Sequence, residues 1–174
     1  MKRKWFAFGV LWVLWPCVQG PLWAEVDTKS VHVSFAVRPV FIVKTVSSSS
    51  GIPIVDFGWV VPSKDSSQTE ILDVSVATNT VRPYKIYQTA KMIRSADGIA
   101  LAGESMRFMA SPGREGGRSE APSYEEFKPG KRLIFSSRPG GGADDFHIFY
   151  LLGGAAVLDA GDYYGSMEID GELS

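Results

Sequence analysis

The stretch "GDYYGSMEIDGELS", residues 161–174, alternates apolar and polar side chains with great regularity. From Tyr163 the odd positions hold Tyr, Gly, Met, Ile, Gly and Leu, and the even positions from Ser166 to Glu172 hold Ser, Glu, Asp and Glu. A period of two places successive side chains on opposite faces of a β-strand. The pattern predicts a terminal strand with one acidic, solvated face, which also discourages pairing with another chain. Its predicted core positions are Tyr163, Met167, Ile169 and Leu173.

The rest of the chain carries the same period in shorter runs, separated by turn residues. The predicted strands cover 31–37, 40–46, 55–61, 72–76, 84–88, 106–108, 131–137 and 146–152. No segment has the clear periodicity of a long amphipathic helix. We therefore expect an all-β fold, an antiparallel immunoglobulin-like β-sandwich of about eight strands. The short connection between 146–152 and 163–173 predicts that these two strands are neighbours in one sheet.

Residues 1–24 have the layout of a secretory signal peptide. Three basic residues, Lys2 to Lys4, precede an apolar run from Trp5 to Trp15, and the small residue Ala24 precedes the acidic Glu25. The run is shorter than the ~20 residues that a membrane-spanning helix needs. The sequence therefore predicts export with cleavage after Ala24. An uncleaved anchor and a lipid attached to Cys17 are the alternatives.

Residues 25–174 are predicted to form a single domain with a long polar loop near 111–130. Three of the 18 basic residues and none of the 19 acidic residues lie within residues 1–24, so this domain has a net charge of −4. The only cysteine, Cys17, also lies before Glu25, which excludes a disulfide or a thiolate site in the exported domain. No basic patch points to a nucleic acid partner. No later apolar run is long enough to cross a membrane.

The residues that carry chemistry do not assemble into a complete catalytic set. The two histidines, His32 and His147, both lie in predicted strands, and no Gly-x-Ser-x-Gly motif is present. The adjacent Glu125 and Glu126 would point apart on a strand, which disfavours the carboxylate pair of a glycosidase. The glycine-rich stretch 138–145 lacks the lysine of a phosphate-binding loop. We therefore expect a protein that is not an enzyme and has no cofactor.

Two weaker ligand hypotheses remain. Aspartates beside glycines are candidate calcium ligands, although their spacing does not match a known calcium loop. These are Asp144, Asp145, Asp159 and Asp162. Aromatic side chains are candidates for a sugar-binding platform, against the alternative that they belong to the core. These are Trp59, Tyr84, Tyr87, Tyr163 and Tyr164. Solvated turns and core packing are the simpler explanations, so no metal site is predicted.

Two segments resemble a known kind of exported bacterial domain. "FGWVVPSKDSSQTEILDVSVATNTVRPYKIYQ" (57–88) has a Phe-Gly pair, a polar loop, a strand ending in Asn and an aromatic strand. "LIFSSRPGGGADDFHIFYLLGGAAVLDAGDYYGSMEIDGEL" (133–173) has a glycine-rich loop, an aromatic strand and Gly-x-Tyr-x-Gly before the last strand. Both are similar to secreted pilin-like domains of the spore-coat-U and fimbrial types. The chain departs from many such domains in lacking their cysteine pair.

The resemblance implies an immunoglobulin-like sandwich in the periplasm, at the cell surface or outside the cell. It implies a structural or interaction domain of the cell envelope, such as a subunit of a surface fibre. Its partners would be other copies of itself or a periplasmic assembly chaperone. A secreted or periplasmic binding module, for example for carbohydrate, is the alternative function.

Pilin-like sandwiches of the chaperone-assembled kind complete their sheet with an extended segment of the next subunit. Residues 25–38 would suit that role here. The apolar positions of this segment are Val31, Val33, Phe35 and Val37. The alternative is that the same segment forms the domain's own first strand.

Overall fold

The computed structural model describes residues 34–60, 67–153 and 161–174. The chain divides into two units, Met1–Ala36 and Val37–Ser174, and only residues 34–36 of the first are described. Within the described ranges no helix is long and apolar enough to cross a bilayer. The predicted signal peptide lies outside the described residues.

The described residues form eleven strands, seven of them at least five residues long, and one short 3-10 helix, Gly103–Ser105. The long strands are β1 (Phe41–Ser47), β2 (Ser67–Thr78), β3 (Tyr84–Ala90), β5 (Met106–Ala110), β8 (Gly130–Ser136), β9 (Asp144–Gly153) and β11 (Met167–Leu173). The two-residue strands are β4 (Arg94–Ser95), β6 (Arg118–Ser119), β7 (Glu125–Glu126) and β10 (Tyr163–Tyr164). The all-β fold is confirmed, with eleven strands rather than about eight because of the four short ones.

The strands form an antiparallel sandwich of two main sheets. The first has the order β1-β2-β9-β5-β7 and the second the order β11-β3-β8-β6, and β10 pairs separately with β4. Alternate side chains of each sheet point inward into one apolar cluster. In β2, for example, Leu72, Val74 and Val76 are buried, and Asp73 and Ser75 face outward.

Aromatic contacts join the two sheets at the centre of the sandwich. The rings of Phe135 in β8 and Phe146 in β9 stack with centroids 4.1 Å apart and planes 3° from parallel. A β-bulge in the β3–β8 pairing makes Ile134 an extra residue, so that the consecutive Ile134 and Phe135 are both fully buried. Burial of large aromatic side chains supplies much of the hydrophobic stabilisation of such a core.

The predicted pairing of 146–152 with 163–173 is wrong. β9 lies in the first sheet between β2 and β5, and β11 pairs with β3 in the second sheet. Both edges of β9 are therefore already hydrogen-bonded, which leaves no position there for β11. Closeness in sequence favours neighbouring strands, but it does not decide whether the chain crosses to the opposite sheet.

Two other expectations need correction. Residues 51–60 contain no strand, although Val55 and Phe57 alternate as predicted and pack against the core. The polar segment 111–130 is not only a surface loop, because it contains β6 and β7 and buries Ala121 and Phe127. In both segments isolated apolar side chains anchor irregular backbone to the sandwich.

Candidate functional site: the open edge strand

β1 is an edge strand that pairs only with β2 in the part of the chain that the structure describes. Its inward side chains Phe41 and Val43 pack against the core. Ile42 and Val46 point outward and are 45% and 41% exposed. An edge strand presents backbone N–H and C=O groups that can pair with another strand. β1 is therefore a candidate surface for strand addition.

Asn79 fixes the path of the chain into this edge strand. Its Nδ2 donates to the carbonyl oxygen of Arg38 at 2.8 Å, and its Oδ1 accepts from the backbone N–H of Val40 at 2.7 Å. The backbone N–H of Asn79 also donates to the carbonyl oxygen of Val40 at 3.3 Å. Together these bonds hold residues 38–40 against the end of β2, so the start of β1 is well defined.

The sequence of β1 has few of the features that protect an edge. Its residues are FIVKTVS, and Lys44 is the only charged one. Charged side chains on edge strands discourage pairing with other chains, whereas β-branched runs of this kind favour it.

β11, the long edge strand of the second sheet, differs in this respect because its outward side chains are acidic. Lys131 lies among them, with its Nζ 2.5 Å from a carboxylate oxygen of Glu172 and 3.3 Å from one of Asp170. The bond to Glu172, followed by that to Asp170, raises the pKa of Lys131 above its ordinary value. The same ammonium lies 4.4 Å from the centre of the Tyr87 ring. The two long edges of the sandwich therefore differ in charge.

The segment predicted to donate or to form a first strand is only partly described. Phe35 and Val37 lie outside any strand and are 84% and 73% exposed. Val31 and Val33 lie outside the described residues. A first strand over 31–37 is thus not found in the described half of that segment, and β1 is the first strand among the described residues.

The predicted core positions of the terminal strand are only partly buried. Met167 and Ile169 are half-buried and pack against the core, as expected. Tyr163 is half-buried in β10, where it pairs with Ser95. Leu173 is 37% exposed, so the prediction that it belongs to the core is wrong. It is the last residue of β11, at the edge of the second sheet.

A hydrogen-bonded chain on the outer face of the first sheet was not predicted. Nδ1 of His147 lies 2.7 Å from Oδ1 of Asp73, and Ser48 Oγ donates to Oδ2 of the same carboxylate at 2.9 Å. The register of β2 and β9 places Asp73 directly opposite His147. The hydroxyl bonds the carboxylate and not the imidazole, so the order is not that of a nucleophilic triad. His32 lies outside the described residues.

The candidate calcium ligands do not share one site. Asp144 is buried, and its carboxylate accepts bonds of 2.9 Å from the backbone N–H groups of Glu115, Gly117 and Asp145. These donors suit a carboxylate but would repel a cation. Asp145 and Asp162 are exposed, and Asp159 lies outside the described residues. No group of three metal-ligating side chains occurs among the residues the structure describes.

The other polar candidates have structural partners. Glu125 forms an ion pair with Arg132, and Glu126 forms one with Lys128. In the glycine-rich stretch 138–145, the Nε of Arg138 donates to the carbonyl oxygen of Gly141 at 2.8 Å and closes the turn. A side chain at Gly141 would overlap the backbone of Arg82, which explains the glycine there.

The aromatic residues do not form one platform. Tyr84 is buried in the core, whereas Tyr87 lies on the opposite face of the same strand, beneath Lys131. Tyr164 is 69% exposed and Trp59 is 99% exposed. Trp59 is therefore the most accessible of the five aromatic residues, and it lies in the segment between β1 and β2.

No family model matches this chain, and no curated protein matches it. A solved structure of a family 123 glycoside hydrolase from Clostridium perfringens resembles it with a TM-score of 0.43 and 10% sequence identity. That likeness covers 75% of this chain and 25% of the hydrolase chain, so this chain spans about a quarter of the length of that protein. A likeness of this extent establishes neither a family nor an activity.

Proposed function

We propose that this chain is an exported, non-enzymatic interaction domain of the bacterial cell envelope, a subunit of a surface fibre. The open β1 edge is the observation that carries the proposal. An extended segment of a neighbouring copy adds to β1 and lengthens the five-stranded sheet. The proposed donor is the segment 25–38.

The chemistry of the two segments supports this assignment. In the described part of the chain, the outer edge of β1 has no strand partner, its outward side chains include Ile42 and Val46, and Lys44 is its only charge. Phe35 and Val37 of the donor segment expose large apolar side chains that gain by burial. Each fully buried side chain of this size contributes about 1.5–3 kcal/mol. In strand addition of this kind the backbone hydrogen bonds give affinity, and the alternate side chains give specificity.

The experiment places a charge on the acceptor edge without touching the core. The double variant Ile42→Lys and Val46→Lys puts two ammonium groups at outward positions of β1. We expect it to melt close to the parent temperature and to remain monomeric where the parent forms higher assemblies by size-exclusion chromatography. Val81→Lys is the matched control, since Val81 is 85% exposed and lies outside every strand.

Deletion of residues 25–38 tests the donor. We expect a folded monomer that does not assemble with itself. Added to the parent chain, it should still accept the parent's donor segment through its intact β1 and so terminate growing assemblies. A deletion that unfolds would show that the segment belongs to the domain's own fold. Assembly of the Lys double variant at the parent level would exclude β1 as the acceptor.

A further inference from the structure

Trp59 is 99% exposed, yet the backbone around it is held firmly. Asp56 Oδ1 accepts a bond of 2.8 Å from the N–H of Gly58, which closes a tight turn just before Trp59. Gly58 has a φ of +57°, a conformation that glycine adopts at little cost. Gln68 Nε2 donates to the carbonyl oxygen of Trp59 at 3.3 Å.

Apolar anchors on both sides of Trp59 complete the support of this loop. Phe57 and Val60 are partly buried and pack against the core. The indole ring of Trp59 is thus directed to solvent, while the residues on either side of it are anchored to the core. Rigid, exposed tryptophan is characteristic of binding surfaces, because it offers a large contact area and loses little conformational entropy.

The charge of the loop that carries Trp59 indicates which kind of ligand this residue would bind. The segment 48–66 between β1 and β2 contains one lysine, Lys64, and two aspartates, Asp56 and Asp65, so its net charge is −1 and it has no basic cluster. Of these three residues only Asp56 lies within the described part of the chain. Loops that dock on anionic membranes, and surfaces that bind nucleic acid, carry basic residues beside their aromatic side chains. A neutral, hydroxyl-rich ligand fits better, since its C–H face stacks on the indole and its hydroxyl groups donate to carboxylate or amide oxygens.

We infer that Trp59 is a carbohydrate-binding residue that stacks on a pyranose ring of a neutral polysaccharide. Asp56 and Gln68, whose side chains bond to the backbone of Gly58 and of Trp59, would supply acceptor oxygens for sugar hydroxyl groups. This site uses none of the outward residues of β1 proposed for assembly, so either function can hold without the other. One aromatic ring gives weak binding, with a Kd of about 1 mM per chain. Repetition along an assembly would raise the avidity.

Tryptophan fluorescence reports on this site directly. The other four tryptophans lie within residues 1–24, so cleavage after Ala24 leaves Trp59 as the only one. The exported chain is titrated with cellohexaose, xylohexaose and mannohexaose, and binding is followed by emission and by calorimetry. If residues 1–24 are retained, the difference between parent and Trp59→Phe spectra isolates the signal.

We expect a blue shift of the emission with at least one of these sugars. Trp59→Ala should weaken calorimetric binding by about tenfold or more, and Trp59→Tyr by less. Tyr164→Ala is the matched control, because it removes another exposed aromatic ring and should bind like the parent. A hexamer of galacturonic acid should bind more weakly than the neutral sugars because Asp56 repels it.

Three results would overturn the inference. The first is no response to any of the neutral hexasaccharides at 10 mM, on the order of ten times the expected Kd. The second is a blue shift with anionic phospholipid vesicles but not with sugars, which would identify a membrane-docking loop. The third is a shift that depends only on protein concentration, which would identify a contact between copies.

Discussion

The hydroxyl of Tyr150 donates a 2.8 Å hydrogen bond to Oε1 of Gln88, and this bond joins the two sheets inside the core. Both residues are buried. The hydroxyl of Tyr84, in contrast, is buried and has no hydrogen-bond partner among the described residues. Two buried tyrosines of one core therefore differ in whether their hydroxyl group is satisfied.

This difference predicts opposite effects of the same substitution. Tyr84→Phe removes an unsatisfied hydroxyl, and we expect the free energy of unfolding at pH 7 to rise by about 1 kcal/mol. Tyr150→Phe leaves the buried Gln88 oxygen without its donor, and we expect a loss of about 1–3 kcal/mol. Urea denaturation of the two variants beside the parent measures both. A destabilised Tyr84→Phe variant would mean that its hydroxyl has a partner in solution.

Tyr84 also predicts how stability depends on alkaline pH. Burial, followed by the negative charge of Asp144, raises its pKa to about 12 from the ordinary 10.0. Burial raises the pKa of Tyr150 as well. The folded state therefore binds protons that the unfolded state has lost, so stability must fall as pH rises from about 10 towards 12. For Tyr84 alone, the free energy of unfolding falls by up to roughly 3 kcal/mol over this pH range.

Comparison of the parent with the Tyr84→Phe variant isolates the contribution of Tyr84 to this pH dependence. In Tyr84→Phe the decrease in unfolding free energy between pH 10 and pH 12 should be smaller than in the parent by roughly that amount. Surface titrations affect parent and variant equally and cancel in the comparison. Parallel curves for the two proteins would mean that Tyr84 ionises normally.

We expect Gly117 and Gly140 to differ sharply in how well they tolerate substitution by alanine. A Cβ on Gly117 would overlap the ring of Phe135, which is fully buried and stacked on Phe146. We expect Gly117→Ala to lower the unfolding free energy by about 2–3 kcal/mol through overpacking. Gly140→Ala is the control, because nothing lies within 4 Å of the position that its Cβ would take. Melting temperatures of the two variants test this prediction. Equal temperatures would contradict the close packing of Gly117 against Phe135.

Asp144 and Asp145 are adjacent aspartates with unequal structural roles. Asp144→Asn replaces one acceptor oxygen by a donor that faces backbone N–H groups, and we expect a loss of about 2–4 kcal/mol. Asp145→Asn should change stability by less than about 0.5 kcal/mol, since that side chain is exposed. In the first variant the amide protons of Glu115 and Gly117 should exchange faster. Unchanged exchange at both amides would contradict the role given to Asp144.

The N-terminal segment gives a prediction that mass spectrometry can check. The basic, apolar and small-residue regions within residues 1–24 predict an exported chain that begins at Glu25. Without Cys17, this product has no free thiol for a maleimide reagent to modify. An intact Met1 or a lipid on Cys17 in the purified protein would rule out cleavage at this position.

Alternation predicted most long strands correctly because it reports directly on which side chains face a core. Alternation carries no information about which strands pair with each other. The sequence therefore predicts the strand β9 correctly but gives it the wrong neighbour. At 55–61 the alternation was real for Val55 and Phe57, but the turn between Asp56 and Gly58 prevents a strand. Such a turn depends on a side-chain bond that periodicity does not reveal.

The residues that meet on the outer face of the sandwich were harder to predict, because their contacts depend on which strands pair and in which register. Asp73 and His147 meet only because β2 and β9 are paired in one particular register. A shift of that register by one residue would separate the two side chains. Ala121 and Phe127 were missed because they are isolated apolar residues in a polar, glycine-rich segment. Composition alone cannot distinguish them from exposed loop residues.

The proposed donor, segment 25–38, and the acceptor, β1, are different surfaces of one chain, and this has a consequence for the geometry of the proposed assembly. Such an assembly joins β1 of one copy to a different surface of the next, so the contact is heterologous and does not close a two-fold pair. Every copy would then point the same way, and the structure would have a polarity, with one end exposing a vacant β1 and the other an unused donor. Elongation and capping at these two ends would proceed at different rates.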